Sequence, residues 1–88
     1  MSTRETLLEF PCDFPIKVFG KDDGGFQARV FDLVAPHVTD LRRSDMSAKP
    51  SSGGKYLAVT VNIVATSQDQ IDAIYSDLTG SQQVLMAL

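Results

Sequence analysis

The chain has 88 residues, 43% of them apolar and 22% charged, with 8 Lys and Arg against 11 Asp and Glu and a formal net charge of −3. That length supports one hydrophobic core and leaves no material for a second, and the composition is that of a folded globular domain. The acidic balance argues against duplex DNA, whose phosphates call for a basic footprint, and the absence of a long apolar run argues against a transmembrane helix.

A single cysteine, Cys12, excludes an internal disulfide. Residues 1–9 include Arg4, Glu5 and Glu9 and lack the apolar run of a signal peptide, so a cytoplasmic protein is expected. The charges are unevenly distributed. Residues 42–55 carry Arg42, Arg43, Lys49 and Lys55 against Asp45 alone, whereas residues 56–88 carry Asp69, Asp72 and Asp77 and no base.

Residues 1–13 read as an N-terminal arm in which Leu7, Leu8 and Phe10 pack across a single domain of residues 14–88. Pro11 and Pro15 discourage a helix there. Residues 14–19 read as the first strand, with Phe14, Ile16 and Val18 alternating against Pro15, Lys17 and Phe19. The Gly- and Asp-rich loop 20–25 breaks it, and Asp22 or Asp23 is placed to cap the next helix. Phe26, Val30, Leu33, Val34 and His37 follow helical spacing, and Pro36 predicts a kink or an end.

Residues 40–49 are expected to form an edge strand, with Leu41, Met46 and Ala48 lining the core and charges blunting the edge. The turn Pro50-Ser51-Ser52-Gly53-Gly54 leads into residues 56–65, the longest alternating stretch in the chain. Leu57, Val59, Val61, Ile63 and Ala65 share one face of it, and Tyr56, Ala58, Thr60, Asn62 and Val64 the other. Ser67 and Gln70 fit a capping box that opens a helix with Ile71, Ile74, Tyr75 and Leu78 on its buried stripe. Gly80 suits a left-handed helix terminator. Residues 83–88 read as a last strand, Val84, Met86 and Leu88 alternating against Leu85 and Ala87. The order β-α-β-β-α-β predicts a ferredoxin-like α+β sandwich, two helices on one face of a four-stranded antiparallel sheet.

No catalytic constellation is legible, and the expectation is a protein that is not an enzyme and needs no cofactor or metal. His37 is the only histidine, and Cys12 has no visible base beside it, so both read as packing residues. Gly53-Gly54-Lys55 resembles a phosphate loop only superficially. Lys49 stands where its first glycine belongs, Tyr56 replaces the metal-binding hydroxyl, and a strand rather than a helix follows. Lys49, Ser51, Ser52, Gly53, Gly54, Lys55 and Tyr56 remain a candidate contact for an anion or a partner; the alternative is a plain turn with solvated lysines.

With the helices over Ile16, Val18, Val59, Val61, Val84 and Met86, the opposite sheet face would show Lys17, Phe19, Tyr56, Ala58, Thr60, Asn62, Val64, Leu85 and Ala87. Phe19, Tyr56, Val64 and Leu85 are the candidate interface there, since adjoining exposed apolar residues mark binding surfaces. Two fates are open for this face: cover by the arm or by self-association, or contact with an external ligand or partner protein. RNA-recognition modules share the element order, but they stack bases on clustered aromatics, and only Phe19 and Tyr56 qualify here; RNA is disfavoured.

Several segments together resemble the YbeD-like family of small bacterial proteins of uncharacterised function. They are Leu7-Leu8-Glu9-Phe10-Pro11, Pro15-Ile16-Lys17-Val18-Phe19-Gly20, Lys49 through Tyr56, Ala65-Thr66-Ser67-Gln68-Asp69-Gln70 with Ile74, Tyr75 and Leu78, and the closing Val84-Leu85-Met86-Ala87-Leu88. Residues 21–48 depart from the pattern at Gly24, Gly25 and Pro36. The resemblance implies a fold similar to ACT-type regulatory domains and a stand-alone regulatory or interaction module. By the same resemblance, a small effector such as an amino acid would meet the loop after the first strand: Gly20, Lys21, Asp22, Asp23, Gly24 and Gly25.

Overall fold

The structure is a computed structural model that describes residues 9–51 and 53–88. Its elements are β1 (Cys12–Lys21), α1 (Phe26–Val34), β2 (Met46–Pro50), β3 (Tyr56–Ala65), α2 (Gln68–Thr79) and β4 (Val84–Ala87). The four strands form one antiparallel sheet in the order β2-β3-β1-β4. This is the ferredoxin-like α+β arrangement, in which each strand–helix–strand half inserts a strand between those of the other.

Ile16, Val18, Val59, Val61 and Ile63 of the two central strands meet Phe26, Val30 and Val34 of α1 and Ile71, Ile74 and Leu78 of α2 in one buried cluster. Alternation places the first set on one sheet face, and helical spacing places the others on single stripes. No polar or charged side chain is buried among the described residues. No helix among them is long and apolar enough to cross a membrane.

Several local expectations need correction. β1 starts at Cys12, two residues before the predicted strand, because Cys12 and Asp13 already pair with Ala65 and Val64. Neither Asp22 nor Asp23 caps α1. Gly25 holds that position, and the Asp23 carboxylate instead accepts the Gly25 N–H at 2.9 Å. Pro36 ends α1 as predicted, within a 3-10 turn over Ala35–His37.

The edge strand does not begin at Asp40. Asp40 turns the chain at φ 61°, and a second 3-10 turn, Arg43–Asp45, follows, with the Asp45 carboxylate accepting the Arg42 N–H at 3.0 Å. Only Met46 of β2 reaches the core; Ala48, although opposite the buried Val59, is exposed because β2 is the edge strand of the sheet. At α2, Ser67 caps as predicted, its hydroxyl oxygen accepting the Gln70 N–H at 3.1 Å, but Gln70 returns its bond to the Thr66 N–H at 2.7 Å rather than to Ser67. Gly80 ends the helix at φ −78°, not in the left-handed region.

The largest correction concerns β4. Val18 pairs with Ala87 and Phe19 with Met86, but Gly20 pairs with Val84, so Leu85 is an extra residue in a β-bulge. A one-residue insertion reverses side-chain parity. Ala87 therefore joins the helix side against the core, and Met86 moves to the opposite face, where it is 53% exposed.

Candidate functional site

Strand register defines the sheet face opposite the helices. Across it, Lys49, Ala58, Phe19 and Met86 form one row from β2 to β4. Beside it lies the row Ser47, Thr60 and Lys17, closed by Leu88, which exchanges two backbone hydrogen bonds with Lys17 at 2.7 and 3.0 Å. Tyr56 pairs with Lys21 on the other flank of the Phe19 row. Val64 pairs with Asp13 near the far end.

Tyr56, Met86 and Leu88 are exposed and flank the half-buried Phe19 and Ala58, so the strand order joins apolar residues of three strands into one open strip, with exposed Val64 standing apart near the far end. Phe19, Tyr56 and Val64 stand where the sequence placed them. Leu85 does not: it lines a cavity with Arg29, Leu33 and Asp77 on the helix side, and Met86 replaces it. The arm does not cover the strip through Phe10, which packs against the helix-side core; Leu7 and Leu8 lie outside the described residues.

The two layers differ in charge. The open face carries Lys17 and Lys49, with Lys21 at its margin, where the end of β1 also borders the helix-side cavity, and Asp13 at the other end of β1. The helices carry Asp32, Asp69, Asp72 and Asp77 against Arg29 alone.

The two candidate loops lie side by side. The Asp22 N–H donates to the Lys55 carbonyl at 3.0 Å, and Lys21, Asp22, Asp23, Lys55 and Tyr56 line a shared hollow. Within the 49–56 turn, the Ser51 hydroxyl oxygen accepts the Tyr56 N–H at 3.1 Å and the Ser51 carbonyl accepts the Gly54 N–H at 2.9 Å. Those bonds occupy two backbone N–H donors of the turn, of Gly54 and Tyr56. Gly53 and Gly54 take φ of 88° and 74°, which glycine tolerates at no steric cost. Ser52 lies outside the described residues. Of the 20–25 loop, Gly20 is buried, whereas Lys21 and Asp23 border the helix-side cavity of about 810 Å³ that Leu85 lines.

A polar tie escaped sequence reasoning. His37 Nε2 lies 2.6 Å from Asp77 Oδ2, and the Gln70 amide donates to the His37 carbonyl at 2.8 Å, so α2 is fastened twice to the turn ending α1. The partners are 40 and 33 residues apart, and no local pattern announces them. Cys12 is half-buried against the core, where a thiol acts as a small apolar group. Among the described residues, no group of three or more His, Cys, Asp or Glu side chains is placed to hold a metal ion.

Residues 5–88 match the family described as "Protein of unknown function (DUF493)". The chain belongs to the DUF493 family. It is similar to the UPF0250 protein of Paraburkholderia phytofirmans, 42% identical over 87 residues, spanning 99% of this chain and 98% of that one. It is also similar to the UPF0250 protein RSc0326 of Ralstonia nicotianae, 44% identical over 85 residues, 97% of this chain and 88% of that protein. Among solved structures, protein HP0495 from H. pylori superposes with a TM-score of 0.74 at 13% identity, covering 92% of this chain and 85% of the other. The ACT domain from the GTP pyrophosphokinase of Chlorobium tepidum superposes with a TM-score of 0.63 at 17% identity, covering 86% and 84%. The DUF493 chain therefore has an ACT-like fold, as the family resemblance implied; at these identities the structural likeness speaks for fold alone.

Proposed function

We propose that this DUF493 protein is a non-enzymatic, ACT-like regulatory or protein-interaction module that binds through the open face of its sheet. The observation that carries the proposal is the strip contributed by three strands, in which Tyr56, Met86 and Leu88 are exposed beside the half-buried Ala58 and Phe19. A small domain gains stability by covering such a surface, with a second copy or with another protein. A photo-crosslinking side chain placed at Met86 tests this in living cells, with exposed Ser76 on α2 as control. Position 86 should yield a discrete product that Phe19→Asp removes: twice the chain mass for self-association, another mass for a partner. No product at 86, or the same product at both positions, overturns the proposal.

A second reading, a stand-alone small-molecule sensor, is supported by the helix-side cavity. Lys21 and Arg29 stand there with Asp23 and Asp77 beside Leu33 and Leu85, a mixed lining suited to an amino acid or an organic anion. A thermal-shift screen of those compounds tests it. A ligand present at one hundred times its dissociation constant adds about 2.7 kcal/mol, and the shift should disappear in Arg29→Gln. A screen with no shift counts against the sensor and leaves the interaction module standing.

A further inference from the structure

Resting on the interaction-module reading, we infer that the occupant of the open face is an acidic amphipathic helix of a partner protein. Charge and shape both select it. In a face-to-face pair of identical copies, the lysines of one basic face would be brought onto the same basic face of the other, and like charges brought together at an interface oppose association. A segment with carboxylates flanking apolar residues meets no such conflict. The aspartates of α1 and α2, on the opposite layer, disfavour the same segment there.

The dimensions match a helix laid across the strands. The row Lys49, Ala58, Phe19, Met86 crosses four strands, a span of about 14 Å, which about ten residues of α-helix cover. Lys17 and Lys21 lie on the two sides of Phe19 along β1, about 13 Å apart, close to the 10–12 Å width of a helix with its side chains. Apolar residues at i, i+4 and i+7 would rest on Ala58, Phe19 and Met86, with Asp or Glu on either flank reaching Lys17 and Lys21. Lys49 would close one end of the row. Asp13 and Asp45 line a hollow with Asn62 and Val64 beyond that footprint.

The test is selection of a displayed library of helix-forming peptides against the full chain, with counter-selection on Met86→Asp and, independently, on Phe19→Asp. Both variants must keep the wild-type circular dichroism spectrum. The expected pool carries Asp or Glu flanking apolar residues at helical spacing, and Lys17→Glu combined with Lys49→Glu weakens its members by about tenfold or more. A pool dependent on the open face but without acidic bias overturns the assignment of the occupant and leaves the interaction module intact. A selection yielding no peptide sensitive to Met86→Asp or Phe19→Asp overturns both. A random single-stranded RNA pool runs in parallel; binding tighter than the peptides, and lost in the same variants, replaces the protein helix with nucleic acid.

Discussion

Gly20 and Phe26 interlock: a Cβ on Gly20 would overlap the edge of the Phe26 ring and the Gln83 carbonyl oxygen. Phe26 is the first residue of α1 and is 2% exposed, so its ring cannot swing into solvent without opening the core. Gly20 also faces Val84 at the β4 bulge. The glycine thus allows the helix start and the last strand to close on β1 together, and its place in the candidate effector loop is structural. Gly20→Ala should cost about 2 kcal/mol or more through overpacking, measured by urea unfolding. A loss below about 0.5 kcal/mol, the scatter of neutral surface changes, would contradict the contact.

The bulge makes adjacent residues of β4 behave in opposite ways. Ala87→Asp places a carboxylate against the core cluster and should cost about 2 kcal/mol or more. Met86→Asp, on the open face, should cost under about 1 kcal/mol. Chemical denaturation of the two variants decides it, and the reverse order would restore uninterrupted alternation.

Gln70 serves four contacts: its backbone N–H meets Ser67, its side-chain oxygen accepts from the Thr66 N–H and hydroxyl, and its amide donates to the His37 carbonyl. Gln70→Ala removes the three side-chain contacts, leaving the Thr66 N–H and the His37 carbonyl unmet, and should cost about 1–2 kcal/mol. The His37–Asp77 pair is half-exposed on the Asp77 side, so water screens it, and a double-mutant cycle should give a coupling of about 0.2–1 kcal/mol. Zero coupling would show that the 2.6 Å contact adds nothing net to stability.

Burial pushes the Tyr75 phenol above the usual tyrosine value because the phenolate is disfavoured away from water. The folded state then holds this proton more tightly than the unfolded chain. The associated stability is fully present below the unfolded value and is lost as pH rises toward the folded one. In Tyr56→Phe, which leaves Tyr75 as the only tyrosine, phenolate absorbance should appear at higher pH in the folded protein than in urea. An earlier or equal midpoint would contradict burial of the hydroxyl.

Sequence alone determined the element order, the two helical stripes, the Ser67 cap, the Pro36 stop and β3 with its faces, because each depends on neighbours within a few residues and on backbone periodicity. The family resemblance, carried by the same segments, anticipated the ACT-like fold. Only the tertiary structure decided which residues share the open face. One bulge, created where Gly20 must admit Phe26, shifts β4 by a residue and exchanges Leu85 for Met86, and a period-two pattern contains no sign of it. The His37–Asp77 and Gln70–His37 ties were hidden for a related reason: contacts between residues 40 and 33 apart arise only when packing brings two separately formed helices together. The charge asymmetry between layers is likewise a product of topology, since Lys17, Lys21 and Lys49 come from two strands that are not sheet neighbours and become one surface only after β3 is placed between them.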